Sequence, residues 1–498
     1  MAKASLTSKD YLLDDYRHTL FPLTSTPFLV SNFSEKLDDR VYKHILDPSD
    51  QDAHFLPQQR VYAAKKGYFL RRTVKLDPLA EYYLYDLVYR NRKSFRKDHR
   101  ASRQSFGYRF KEGVAESPSE AYASFKSAIA KARKKYDNTI STDIATYFNS
   151  VYHHDLVNAA RRLGWTDSDA ESYGQFLREI NAGRSVDCLP HGLHPAKVLG
   201  ADFLSFVDNS HLMRSAQSLR FLDDIHLFDD SVDTLTDDLL ELQGLLGAKG
   251  LSLNDAKTYI GNTVSNDLED EVDEIKSDLL QIRRRLVIIS GDIEEIEEAE
   301  EIPLTDQQVE YLLTLINSGD LEESDAELVL TLLRDHATDV LAQMIPVLHR
   351  FPGLTKNVYH FARTSSNLEN LDELLLKFLK ESGLATEYQL FWLAKLATDL
   401  LQKSKILGEI LVAAYEHPNA TVVSKAKILE FPDGRFGLSE MREEQLRSGR
   451  SDWQTWAAAV GTQNDDPATR NHLLGYFANG SSVNRVIADC MRAFAPSP

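Results

Sequence analysis

The chain has 498 residues, enough for about two to four domains, and its 43% apolar and 10% aromatic content excludes a disordered or low-complexity protein. With 57 Lys and Arg against 75 Asp and Glu the formal charge is −18, which excludes a protein that coats nucleic acid over a wholly basic surface. No apolar run reaches the roughly 20 residues of a membrane helix and the first fifteen residues carry no leader pattern, so no membrane partner and a cytoplasmic location are expected.

Charge is unevenly spread. Residues 60–111 carry a net +11 and the remainder −29, so one local basic surface sits on an acidic chain. Residues 1–110 are mixed and aromatic, with Phe21, Phe28, Phe33, Tyr62 and Tyr68 near Pro and Gly breaks. Within them, 76–92 places Leu79, Tyr82, Tyr83, Leu87 and Tyr89 at a helical period ahead of a basic cluster. A second helix is predicted over 117–136, its last turns basic as the helix dipole favours. Ile140, Thr142, Ile144 and Thr146 then give 140–148 the β-branched character of a buried strand. A helix is predicted over 195–208. Two apolar arms around Asp223 and Asp224 make 219–228 a hairpin, and a further helix over 232–246 ends near Gly247 and Gly250. Strand, helix, hairpin, helix, strand is an α+β arrangement.

Beyond residue 258 helical periodicity is nearly continuous. The run 267–301, with fourteen acids, reads as a solvated junction. Stripes follow at Tyr311–Ile316 and at Leu328, Leu332 and Leu333, the latter behind Ser324-Asp-Ala-Glu327, a capping-box pattern. Others lie at 371–379, 388–401 and 406–415, and Asp466-Pro467 opens a late helix with Pro at its first position. A HEAT-like array of antiparallel helix hairpins is the expected architecture. The predicted divisions are an N-terminal region over 1–110, an α+β domain over 111–265, an acidic junction over 266–303 and an all-α domain over 304–498. Cys188 and Cys490 form no ligand spacing and are expected as buried thiols.

The chemistry-bearing candidates are Asp143, Asp223 and Asp224. Asp pairs are common in so acidic a chain; this one is set apart by its place inside an apolar hairpin downstream of an aspartate that is itself flanked by apolar and β-branched residues. If the strands are neighbours, the three carboxylates converge into a cluster suited to two Mg²⁺ ions, which Mn²⁺ can replace, about 3.5–4 Å apart. Such a pair serves in-line phosphoryl transfer.

In order along the chain, Ser105-Phe-Gly-Tyr-Arg109, Thr142-Asp-Ile-Ala-Thr-Tyr-Phe148, Leu189-Pro-His-Gly192, Arg220-Phe-Leu-Asp-Asp224 and Gly250-Leu-Ser-Leu-Asn254 with Lys257-Thr258 resemble the motif series of reverse transcriptases. With helical hairpins after the palm, the whole chain resembles the bacterial abortive-infection (Abi) polymerases, in particular their shorter prophage-borne branch. The resemblance implies fingers and palm followed by a HEAT-like helical domain. It implies Asp143, Asp223, Asp224 and the Ile144 carbonyl as metal ligands, Phe148 as the aromatic that blocks a ribose 2′-hydroxyl, and Gly192 as the close approach to the nucleotide. Lys257 matches the basic residue near the departing pyrophosphate, and Arg71, Arg72, Lys75 and Arg109 are candidates for triphosphate or strand. The chain departs from the pattern at His191, where many members carry glutamine, and at Ala196, where they often carry serine.

The family further implies phage defence, homo-oligomers, and untemplated DNA synthesis from deoxynucleoside triphosphates, begun on a tyrosine hydroxyl so that the single-stranded product stays attached to the protein. Tyr11, Tyr16 and Tyr42 are the candidate primers. Two other readings stay open: a templated RNA-directed DNA polymerase of retron or intron type, and an inactive palm used as a protein-binding scaffold.

Overall fold

The computed structural model describes residues 6–50, 52–95, 100–262, 279, 282, 304–317, 321–333, 337–365, 368 and 370–495. The acidic junction expected over 266–303 therefore lies, two single residues apart, outside the described residues. The chain is a mixed α+β protein with a C-terminal helical region, and no helix among the described residues is long and apolar enough to cross a membrane.

Packing divides it into two units, one of Met1–Asp15 with Leu84–Ala299 and one of Tyr16–Tyr83 with Glu300–Pro498. The N-terminal region read as one piece over 1–110 is thus shared between them. Residues 16–83 belong with the C-terminal helices because their polar groups are satisfied there. Trp453 donates its indole N–H to the Leu76 carbonyl at 3.0 Å and Trp392 to that of Leu20 at 3.2 Å. The buried Glu430 accepts from the backbone N–H groups of Thr24 and Ser25, both at 2.9 Å, at the start of the helix Ser25–Arg40.

In this second unit, strands β1 (Gln59–Ala64) and β2 (Leu70–Lys75) form an antiparallel hairpin whose first strand packs on the helix Glu387–Leu400. The helices from Ala337 onward pack on their next-but-one neighbours: Thr355–Thr364, Glu387–Leu400, Val422–Leu429, Trp453–Gly461 and Ser482–Ala493 form one row, and Ala337–Val347, Leu371–Glu381 and Leu407–Tyr415 lie in another. The late helix predicted at Asp466-Pro467 spans Pro467–Phe477, with Asp466 accepting from Thr469 N–H at 3.0 Å. The box expected at Ser324 does not form, because the helix already starts at Glu323 and leaves Ser324 inside it; reciprocal boxes form elsewhere, among them at Thr305, Thr386 and Thr421.

In the first unit, β3 (Arg103–Phe106), β6 (Asn138–Asp143), β7 (Gln217–Phe221), β8 (Asp224–Asp229) and β9 (Tyr259–Asn262) make one sheet in the order β3-β7-β8-β6-β9, while β4 (Phe110–Lys111) and β5 (Val114–Ala115) form a separate small hairpin. Only β3 and β7 run parallel. The helix Pro118–Arg133 covers β7, β3 and β8, burying Phe125, Ile129 and Ala132 against Leu219 and Phe228, and Val232–Gly247 packs on β8 and β6. The strand predicted over 140–148 ends at Asp143; Thr146 is left-handed at φ 48° and turns the chain into the short helix Tyr147–Ser150. The helix predicted over 195–208 is two, His194–Phe203 and Ser205–Asp208. Cys188 and Cys490 are buried free thiols, and burial pushes each up to about 12.

Candidate active site

Asp143 is the last residue of β6 and stands directly opposite Asp224, the first of β8. Residues paired across antiparallel strands share a face, so the sheet brings together two carboxylates that lie 81 positions apart by their numbers. Asp223 occupies the tight turn between β7 and β8 with Leu222, which is left-handed at φ 56°, as a short hairpin of this hand requires. Burial pushes the Asp223 carboxyl up to about 6; the negative charge of Asp143 adds to this, as does that of Asp224, and Lys257 opposes it. The arrangement thus concentrates negative charge at one end of a buried sheet.

The turn is held by a residue that the motif reading did not single out. Arg220, 1% exposed, donates from Nη1 to the Leu222 carbonyl at 2.8 Å and from Nη2 to the Ala201 carbonyl at 3.1 Å, and its guanidinium grips Asp208 in a two-pronged pair. Its signal in the sequence was a charged residue inside an otherwise apolar strand, since buried charge requires partners. On the other side, Gly107 is left-handed at φ 74°, and a Cβ there would sit 2.8 Å from the Phe221 ring. Only glycine lets this motif pass so close to the strand that leads to Asp223.

Lys257 lies beside Asp143: its ammonium is 2.7 Å from Asp143 Oδ2, and its side chain is 60% exposed. Asn254 fixes the strand end by donating its N–H to the Asp143 carbonyl at 2.7 Å, and Ile144 bridges to Leu253. His226 Nε2 lies 3.1 Å from Asp224 Oδ1. Among the described residues no three His, Cys, Asp or Glu side chains stand close enough to hold a metal ion as placed. The donor set nevertheless fits a hard divalent cation: it is all carboxylate oxygen, and burial first, then the charges of Asp143 and Asp224, hold the Asp223 carboxyl up despite Lys257.

Phe148, buried on the short helix after β6, packs its ring edge-on to His191 at 4.6 Å and to Tyr147 at 5.5 Å. Gly192 beside it adopts φ 104°, which L side chains rarely reach. The structure therefore brings Phe148 against His191, the chain neighbour of Gly192. Arg109 lies on the segment after β3 and gives Nε and Nη2 to Glu116 at 2.8 and 3.1 Å. Arg71, Arg72 and Lys75 belong to β2 in the second unit. Arg71 and Arg72 are half-buried there. Lys75 is buried, 2.6 Å from Glu81 Oε1 and 2.5 Å from the Tyr16 hydroxyl, so its ammonium serves the interior of that unit.

The tyrosines differ in the same way. Tyr11 is buried, its hydroxyl 2.6 Å from His194 Nδ1, and burial with the nearby Asp15 charge holds its phenol well above the usual value. Tyr16 is buried, donates to Glu81 at 2.7 Å and is raised likewise, by burial first. Tyr42 is half-buried with its ring 6.3 Å from that of Tyr83.

No protein-family model and no curated protein matches the chain. Among solved structures, apo telomerase from Candida tropicalis aligns with 76% of this chain and 74% of its own at 12% identity and a TM-score of 0.34. Telomerase from Candida albicans in complex with a TWJ fragment of telomeric RNA aligns with 77% of this chain and 68% of its own at 11% identity and a TM-score of 0.33.

Proposed function

We propose that this protein is a nucleotidyltransferase of the reverse-transcriptase type that polymerises deoxynucleotides without a template, begins on a tyrosine hydroxyl of the protein, and serves bacterial defence against phage by abortive infection. The observation that carries the reading is the pairing of Asp143 with Asp224 across β6 and β8, with Asp223 in the adjoining turn. Asp143, Asp223 and Asp224, with the Ile144 carbonyl, would hold divalent magnesium, which when bound supplies Lewis-acid activation of the attacking hydroxyl and neutralises charge on the leaving pyrophosphate.

The chain's own residues do the rest. Lys257 Nζ, exposed and 2.7 Å from Asp143, would be the cation that meets the departing pyrophosphate. Phe148 closes the space a ribose 2′-hydroxyl would need. Gly192 leaves the backbone bare where the nucleotide lies, and Arg220 keeps the Leu222–Asp223 turn in place. The triphosphate role is assigned to Lys257 and Arg109 and not to the buried Lys75. A phenol that attacks phosphorus must give up its proton, and burial, with neighbouring carboxylate charge, holds both Tyr11 and Tyr16 protonated, so the primer is assigned to neither. Next-but-one packing in the C-terminal helices supports a HEAT-like array, a surface of the kind on which homo-oligomers assemble.

The test incubates the purified protein with Mg²⁺ and labelled deoxynucleotides, without template or primer, beside Asp223→Asn. Label that stays on the wild-type chain through denaturation, is absent from the variant and is released by protease as DNA supports the reading. Synthesis that appears only with an added RNA template and follows its sequence replaces it with a templated enzyme.

A further inference from the structure

The β1–β2 hairpin has two unlike faces. Strand partners share a face, so Val61 and Thr73 point together into the unit, where both are buried, while Tyr62 with Arg72 and Ala64 with Leu70 point together to the other side, along with Arg60. At the tip, Lys65 N–H bonds the Phe69 carbonyl at 2.8 Å around Gly67, which is left-handed at φ 69°. Tyr68 and Phe69 are each 75% exposed, Leu70 52% and Tyr62 41%. An aromatic ring offers about 150–250 Å² to burial, and two adjacent rings left in water forgo that gain. Contiguous exposure of this kind marks a binding surface, unlike scattered single side chains.

The charge on the hairpin says what binds. Residues 59–75 contain Arg60, Lys65, Lys66, Arg71, Arg72 and Lys75 and no acid, in a chain of net −18. Besides Glu81, which pairs with Lys75 inside the unit, two carboxylates from outside accept backbone N–H groups and fix the hairpin: Glu387 from Tyr62 at 3.0 Å and Glu323 from Gly67 at 2.6 Å. The Tyr68 hydroxyl donates to the His349 carbonyl at 3.3 Å, so its ring is anchored at one end. Rigid aromatic faces interleaved with cations are what a single nucleic-acid strand requires: every base has a face to stack, and every phosphate a charge to meet. A second copy docking hairpin to hairpin would set like charges against each other.

We propose that the tip and outward face of this hairpin bind single-stranded nucleic acid, its bases stacking on Tyr68 and Phe69 and its phosphates meeting Lys65, Lys66 and Arg72. The proposal rests on the polymerase reading for the origin of the strand, but the surface stands on its own residues. Binding is not the site's chemistry, so the two ideas fail separately.

The experiment measures fluorescence anisotropy of labelled 20-nucleotide oligo-dT and oligo-rU on the full chain, with Tyr68→Ala/Phe69→Ala, Tyr68→Phe/Phe69→Tyr, Lys65→Gln/Lys66→Gln and Asp223→Asn. The alanine pair is expected to weaken binding about tenfold or more, and the aromatic exchange to restore it, which loss of folding would not do. The lysine pair is expected to lower the slope of log affinity on log salt by about 0.7 for each phosphate that no longer meets a cation. Asp223→Asn is expected to bind as the wild type does while losing nucleotide incorporation. Equal weakening on dT and rU marks stacking without sugar recognition; weakening on one alone identifies which strand the hairpin serves. Unchanged affinity in the alanine pair overturns the proposal and leaves the polymerase reading intact. A change of sedimentation mass in that variant with unchanged affinity overturns it in favour of a second copy.

Discussion

Replacement of Lys75 separates a structural lysine from one that holds substrate. Its ammonium lies 2.6 Å from Glu81, and the two side chains are 5% and 0% exposed. It also donates to the Tyr16 hydroxyl and lies over the rings of Tyr16 and Trp453 at 4.6 and 4.8 Å. Glu81 in turn accepts from Tyr16 and Thr26, both at 2.7 Å. Lys75→Met leaves that carboxylate with two hydroxyl donors and no counter-charge, and breaking one side of a buried pair costs about 3–5 kcal/mol. Lys75→Met with Glu81→Gln removes both charges and keeps acceptors for the hydroxyls, so its cost is expected near 1 kcal/mol, because an apolar or neutral replacement of a whole buried pair is often close to neutral. The single and double variants, with Glu81→Gln, form a double-mutant cycle read by urea unfolding. A coupling of about 2 kcal/mol or more is expected, with the deoxynucleotide KM of the folded variants unchanged. A stable Lys75→Met whose KM rises tenfold would refute the structural assignment and return this lysine to the triphosphate.

Three further outcomes follow from the same reasoning. Asp223→Asn is expected to abolish incorporation yet raise the melting temperature in chelator, since it removes a carboxylate that burial and two neighbouring charges oppose; a lower melting temperature would contradict the repulsion. Phe148→Ala, opening the space beside His191, is expected to retain deoxynucleotide incorporation and to admit ribonucleotides about tenfold better, a change of about 1.4 kcal/mol; unchanged discrimination would make Phe148 a packing residue. Asp77, in the second unit, is pushed from 3.8 up to about 6 by burial that outweighs three backbone N–H donors. Its unfolded form ionises first, so the stability it contributes is fully present below pH 4 and is lost as pH rises through 6, by about 3 kcal/mol at 1.36 kcal/mol per unit. In Asp77→Asn that slope is expected to vanish between pH 4.5 and 7, and equal pH slopes in the two proteins would sink the assignment.

The elements nearest the site were legible because their signals are local. A β-branched run ending in an aspartate became β6, and two apolar arms around an Asp pair became β7 and β8, with Asp143 and Asp224 brought opposite each other. Helix starts were legible where a capping residue and Pro mark them, as at Asp466-Pro467. The capping box at Ser324 misled because the same letters serve a helix interior as well as its start, and only the preceding residues decide.

What stayed hidden is what two distant segments do to each other. Net charge over 60–111 describes a surface, yet it does not say which cations reach that surface. Lys75 counts as one more positive residue in the sequence, and its role is set by Glu81, Tyr16 and Trp453. Arg220 likewise reads as a strand residue until Asp208 and the Leu222 carbonyl are found around it. The same limit hid the division of the N-terminal region, since no composition shift near Tyr16 or Tyr83 announces that Thr24, Ser25 and Leu76 are satisfied by Glu430 and Trp453. Apolar periodicity tells a segment that it must be buried; it carries no label for the partner. In this chain the residues that perform the proposed chemistry sit on elements that periodicity and motif order do specify, whereas those that fix the elements in place are polar groups buried in pairs, and a pair is a property of the fold before it is a property of either residue.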